Sequence, residues 1–260
     1  MTNVRSLSIS VAFVGAMFAS SALAATVVHD LRTDFSDASN PNGVWAFREG
    51  NNLLPSTADW SGFVGIQPAW SRQDQGENFL PAWMQSVADN PLGADGTIAD
   101  VRAGDVFVHS TDNFRGPGGI ANVTWTSPID GIIDILGNAW MARDIGRSNT
   151  WEILLNGTSL SSGSLFSGDP FDRDDPFDFA AGSGGAAALL GIAVGIGDVV
   201  QLNIAKTSFA GDFVGTNLTI EATSSTVIPL PSSLLLLFSS LAGLGLASRR
   251  FRRLKAQGGV

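Results

Sequence analysis

The sequence predicts an all-β protein: one exported β-sandwich domain, jelly-roll-like, between two sorting segments. Three observations predict it. Apolar and polar residues alternate in short runs, the period of a strand with one buried face. Turn-forming residues punctuate those runs, and the 260-residue chain holds 30 Gly and 11 Pro. Between residues 25 and 226 no segment carries a convincing apolar helical stripe with caps.

The elements follow in chain order. Thr26 to Leu31, Val44 to Arg48 and Val106 to His109 are early strand candidates. Residues 81 to 89, around Trp83-Met84-Gln85-Ser86-Val87, are the one place where a short helix is expected. Ala121-Asn122-Val123-Thr124-Trp125-Thr126 alternates strictly, and Gly131 to Gly137 is a β-branched run. Thr150 to Leu155 runs into Asn156-Gly157, the strongest short hairpin signal, and Thr158-Ser159-Leu160 begins the return strand. Ala186 to Val194 is apolar enough for either state, and a strand suits its neighbours better. Asp198 to Ile204 places Val200, Leu202 and Ile204 on one face; Val214 to Glu221 turns Leu218 and Ile220 inward. Eight to ten short strands with Gly, Pro, Asn and Asp turns are the pattern of a sandwich or jelly roll.

Both ends read as addresses. Residues 1–24 hold one base, Arg5, and no acid; an apolar stretch from Leu7 to Phe18 precedes Ala22-Leu23-Ala24. That order is a secretory signal peptide, with cleavage expected after Ala24. An uncleaved membrane anchor is the alternative, but the apolar run is short of the roughly 20 residues a span needs. At the other end, within 227–260, Val227-Ile228-Pro229-Leu230-Pro231 precedes an apolar segment from Leu234 to Ala247. The bases Arg249, Arg250, Arg252, Arg253 and Lys255 close it. The prolines break preceding structure, the apolar segment is of marginal spanning length, and the basic cluster stays cytoplasmic.

Composition excludes several functions. Cysteine is absent, so there is no disulfide framework, thiolate nucleophile, iron–sulfur cluster or Cys-type zinc site. The two histidines, His29 and His109, form no paired-His metal motif. All 24 acids but only nine of the 15 bases lie in 25–226, which argues against nucleic acid as a partner. The carboxylates show no spacing that nominates a catalytic pair, and neither histidine accompanies a Gly-x-Ser-x-Gly elbow.

Two groups remain as candidate ligand sites. Asp169, Asp172, Asp174, Asp175 and Asp178 crowd the segment Asp169-Pro170-Phe171-Asp172-Arg173-Asp174-Asp175-Pro176-Phe177-Asp178. Calcium takes six to eight oxygens, and such a loop supplies several; the bland alternative is a solvated acidic loop anchored by Phe171 and Phe177. Trp60, Trp70 and Trp83 sit in the Gly/Pro/Asn-rich first third, where an exposed indole face would stack on a sugar ring. Trp125 and Trp151 are expected in the core, because they lie in strands.

The C-terminal order of parts resembles the PEP-CTERM sorting signals, in the variant built around Val-Pro-Leu-Pro-Ala, over Val227 to Lys255. Ile228 is inserted and Ser232 stands where that variant has alanine. The resemblance implies a Gram-negative bacterium, an exosortase-type processing protease, and release to the cell surface or an exopolysaccharide matrix. A second resemblance is spread over 34–221. His109-Ser110, Trp125-Thr126-Ser127-Pro128, Asn156-Gly157 and Gly197-Asp198-Val199-Val200 are similar to a sandwich module of exported PEP-CTERM proteins. Phe35-Ser36-Asp37 with Asn40 to Trp45 matches its start. That module looks like galactose-binding and carbohydrate-binding jelly rolls. Together these readings lead to a non-enzymatic surface or matrix protein that binds carbohydrate. A purely structural matrix component and a secreted glycan hydrolase are the alternatives.

Overall fold

The computed structural model describes residues 24–60, 67–72, 80–92, 96–112 and 118–225. They form fifteen strands in two antiparallel sheets, with no α-helix among the described residues. The first five strands are β1 (Thr26–Asp30), β2 (Trp45–Glu49), β3 (Asn52–Leu53), β4 (Ser56–Trp60) and β5 (Gln67–Ser71). Next come β6 (Ala82–Gln85), β7 (Val106–His109), β8 (Ala121–Thr126), β9 (Gly131–Met141) and β10 (Ser148–Leu155). The last five are β11 (Thr158–Phe166), β12 (Phe177–Asp178), β13 (Ile192–Val194), β14 (Val199–Lys206) and β15 (Phe213–Ser224).

The larger sheet has nine strands, in the order β12-β9-β15-β7-β6-β5-β4. Strand β1 also lies on β15, and β13 on β9. Strands β7 and β1 follow one another along the same edge of β15, at Phe213–Thr216 and at Thr219–Thr223. The smaller sheet is β11-β10-β14-β8-β2-β3. The predicted hairpin is present: Asn156 and Gly157 both adopt positive φ, 50° and 80°, the geometry that lets a two-residue turn follow the strand twist.

The main core lies between the sheets. Trp45, Phe47, Val123 and Trp125 enter it from the smaller sheet; Ile133, Ile135, Leu218 and Ile220 enter from the larger. A second core covers the outer face of part of the larger sheet. There Met84, Phe107, Trp140 and Phe213 pack with Trp60, Ala99 and Val101. Neighbouring residues of one strand therefore serve different cores: Val106 and Val108 point one way and Phe107 the other.

That double burial corrects one sequence expectation. The segment around Trp83 and Met84 is strand β6, not a short helix. Trp83 joins the main core and Met84 the second, so β6 has no polar face and no period-2 pattern to read. The Ala186 to Val194 segment divides: a 3-10 turn at Ala186–Ala188, then the short strand β13.

Candidate functional site

The three tryptophans expected to offer exposed rings do not. Trp60, Trp70 and Trp83 are 1%, 5% and 0% exposed, as buried as the other four tryptophans. They lie in strands β4, β5 and β6 instead of loops. Trp70 and Trp83 pair across β5 and β6, and the Trp70 indole N–H donates to the Ser36 carbonyl at 2.8 Å. Stacking on an external sugar needs a solvent-facing ring, and none of the three provides it.

The acidic segment is likewise built for another purpose. Among the described residues, no three His, Asp or Glu side chains come together as a metal site. Asp169 accepts the backbone N–H groups of Phe166 (2.7 Å) and Phe171 (2.9 Å). Asp172 accepts those of Asp174 and Asp175, and Asp178 caps the 3-10 turn Phe179–Ala181 through the Ala180 N–H. These are the local carboxylate-to-backbone bonds that make Asp a turn residue. Phe171 stacks on Phe177, centroids 4.4 Å apart, and Phe177 meets Trp151 edge-on, as the bland sequence reading expects.

The pivotal residue of the segment is its one base. Arg173 grips Asp105 with two hydrogen bonds, from Nε and, at 3.0 Å, from Nη2. Its backbone N–H donates to Asp100 at 3.0 Å. Asp105 is buried, and Arg32 stands 3.6 Å from it on another side. Asp174 pairs with Arg102 at 3.1 Å. Arg32, Asp105, Arg173, Asp174 and Arg102 thus alternate in sign, and they strap the acidic segment onto the β6–β7 connection. Burial raises the Asp105 pKa, but Arg173, the Arg102 N–H and Arg32 outweigh it and hold the carboxyl below its usual range.

The strap walls a cleft of about 240 Å³. Its floor is Met141 to Arg143, at and just past the end of β9. Ile98 and Asp100 form one side and Phe166 to Asp172 the other, with Asp144 also in the lining. The floor is fixed: the Ala142 N–H donates to Phe213 O at 2.9 Å, and Asp100 N–H to Ala142 O at 2.6 Å. Arg143 is 6% exposed, its guanidinium 5.2 Å from the centre of the Phe213 ring. On the facing wall the Ser167 hydroxyl accepts the N–H groups of Gly146 and Arg147. Chemically the cleft offers carboxylates and the side chains of Ile98, Phe166 and Phe171, a mixture suited to a ligand with hydroxyls and apolar faces.

Behind the floor lies a buried polar group. Asp212 is fully buried; one oxygen accepts the Phe213 N–H at 2.8 Å, and Oδ2 has no hydrogen-bond partner among the described residues. Burial raises its pKa to about 6, against the Phe213 N–H, Arg143 and Arg147. Ser110 bonds the Asn149 side chain at 2.7 Å and receives the Asp212 N–H at 3.1 Å. His109 sits at the end of β7, edge-on to Phe213, with Nδ1 on the Ser110 carbonyl at 2.8 Å. Its ring therefore bonds a carbonyl rather than a serine hydroxyl, and burial lowers its pKa to about 4.

Sequence reasoning passed over Arg173, Asp105, Arg143 and Phe166. Only Arg173 carried a signal, as the lone base among five aspartates. The sorting residues Val227, Pro229, Leu230, Pro231, Arg249, Arg250, Arg252 and Arg253 lie outside the described residues, as does the signal peptide up to Leu23. Among the described residues no helix is long and apolar enough to cross a membrane. No protein-family model matches the chain, and no curated protein matches it.

Proposed function

We propose that the chain is an exported, non-enzymatic cell-surface or matrix protein whose jelly-roll-like sandwich binds extracellular carbohydrate in the strap-walled cleft. Processing by an exosortase-type protease at the C-terminal Pro motif follows from the sorting-signal resemblance. The observation that carries the reading is the position of the cleft relative to the chain exits. Thr26 pairs with Thr223, and the Ser224 N–H donates to Ala25 O at 3.2 Å, so both exits leave the sandwich side by side. Strand β15 runs from there over twelve residues to Phe213, beside the cleft floor. At roughly 3.3 Å per residue, that is about 36 Å. A domain held by its termini at a membrane or matrix thus presents the cleft at its other end.

The hydrolase alternative draws on the carboxylates that the cleft gathers: Asp100, Asp144, Asp169 and Asp172. Three of them already accept backbone N–H groups, which weighs against a facing acid–base pair.

Intact mass of the protein recovered from the cell surface tests the export half. A mature chain starting at Ala25 and ending near Pro229–Pro231 is expected; an unprocessed precursor would overturn it. A saccharide array tests the binding half, and silence across the array would remove it.

A further inference from the structure

In a protein that buries all seven tryptophans, two phenylalanine rings stand out at one end. Phe209 is 92% exposed in the β14–β15 turn, and Phe166 is 51% exposed at the end of β11. Isolated exposed apolar residues are common, but these two flank the same strand end beside a cleft. Phe166 pairs with Ser148 at the start of β10. On the other side of Ser148, its carbonyl receives the Thr207 N–H at 3.0 Å. Two strand spacings, about 10 Å, therefore separate Phe166 from Thr207, which lies two residues before Phe209. The Phe209 turn is fixed by its own bonds. Lys206 Nζ donates to Phe209 O at 2.7 Å, Ser208 Oγ to Ala210 O at 2.8 Å, and the Ser148 N–H to Ser208 Oγ at 3.1 Å.

We infer that Phe166 and Phe209 are the stacking rings of an extended saccharide site that starts in the cleft and crosses the end of the six-stranded sheet. The inference rests on the carbohydrate reading above. Phe166 belongs to both parts, since it also lines the cleft. A phenylalanine carried on a fixed backbone has only its own two side-chain torsions to order when it stacks on the apolar face of a sugar. Between them lie the Ser148 and Thr207 hydroxyls, bonded to each other at 2.7 Å, a pair that suits sugar hydroxyls. A bilayer is the poorer occupant: Asp112, Asp144, Asp169 and Asp172 gather at this end, and anionic headgroups are repelled by such a surface. The chain exits, where a membrane segment would attach, are at the opposite end.

The test uses the full-length chain in detergent, titrated with di- and hexasaccharides of glucose, N-acetylglucosamine and glucosamine. At least one hexasaccharide is expected to bind more tightly than its disaccharide. F209A should weaken that hexasaccharide about tenfold, the scale of one lost ring contact, and leave the disaccharide unchanged. F166A should weaken both. The melting temperature of F209A should match the parent, and I196A, at an exposed site near the chain exits, should bind normally. Unchanged hexasaccharide binding by F209A would overturn the ring assignment and leave the cleft reading standing. Absence of binding to every sugar would instead remove the carbohydrate reading. A dimer that F209A dissociates, or vesicle flotation that F209A abolishes, would reassign the rings to a second copy or to lipid.

Discussion

At the scale of single residues, three buried positions carry two predictions. Gly215 in β15 is the register partner of Trp140 in β9, and a Cβ there would lie 2.2 Å from the indole. Gly215→Ala is expected to cost about 1–3 kcal/mol by overpacking, read as a lower denaturation midpoint with an unchanged slope. The second concerns Asp212 and His109. Asp212 holds its proton more tightly in the folded chain, raised from 3.8 to about 6, so its contribution to stability falls as pH rises between those values. His109 holds its proton less tightly, lowered from 6.5 to about 4, so its contribution is complete above 6.5 and is lost as pH falls toward 4. The two slopes oppose each other between about pH 4 and 6 and flatten the profile there. Asp212→Asn keeps an acceptor for the Phe213 N–H and removes one slope. Its stability should then drop on acidification below pH 6.5, by at most about 1.4 kcal/mol per pH unit, and exceed the parent's at pH 7.5. Denaturant midpoints from pH 4 to 8 read this directly; identical profiles for variant and parent would refute it. Asp212 drew no notice in the sequence, because burial, not type or spacing, sets its chemistry.

At the scale of elements, the strap holds the acidic segment against the β6–β7 connection. Arg173→Ala leaves Asp105 buried with Arg32, at 3.6 Å, as its remaining cation. The expected cost is about 3 kcal/mol, the scale of breaking one partner out of a buried pair, and Asp105→Asn in the same chain should recover part of it. The Asp105 contribution is present above the usual carboxylate pKa and is lost as pH falls through its lowered folded value, so the Arg173→Ala penalty should shrink in acid. Calcium at millimolar concentration is expected to leave the melting temperature unchanged against a chelator control, since Asp169, Asp172 and Asp178 accept backbone N–H groups and Asp174 pairs with Arg102. The elements legible in the sequence are those whose two faces differ in polarity: β10 and β14 alternate with a wet outer face, β8 alternates because buried Asn122 and Thr124 fill its outer face, and Asn156-Gly157 marks its hairpin. Strands β5 and β6 were illegible because both their faces are buried: Trp70 and Trp83 enter the main core, and Ala69, Ala82 and Met84 the second, where Trp60 at the end of the otherwise exposed β4 joins them. The Arg173–Asp105 pair spans 68 residues, a distance over which no local pattern carries information.

At the scale of the whole molecule, the last strand organises the larger sheet. Strand β15 is the hydrogen-bonding partner of β9, β7 and β1, so the first strand and the last are neighbours. Without β15, β1 has no partner and the path from β9 to β7 is broken. The inward residues Val214, Leu218, Ile220 and Ala222 leave the main core with it, and Phe213 leaves the second. Burying an aliphatic side chain is worth about 1.5–3 kcal/mol, so losing five apolar side chains at once exceeds the stability of an ordinary domain once the lost ladders are added. The chain therefore cannot complete its larger sheet until its C-terminal strand is present, and pairing ends so far apart in sequence makes folding slow. A chain cut after Ser225 should unfold in one cooperative transition like the parent, because β15 ends at Ser224 and, among the described residues, the Ser225 N–H makes the last backbone bond, to Asp130 O. A chain cut after Asp212 should show no cooperative transition and should be degraded rapidly by protease. Urea titration and timed proteolysis of the two truncations decide it: a cooperative transition in the shorter chain would show that the smaller sheet and the rest of the larger one stand without β15.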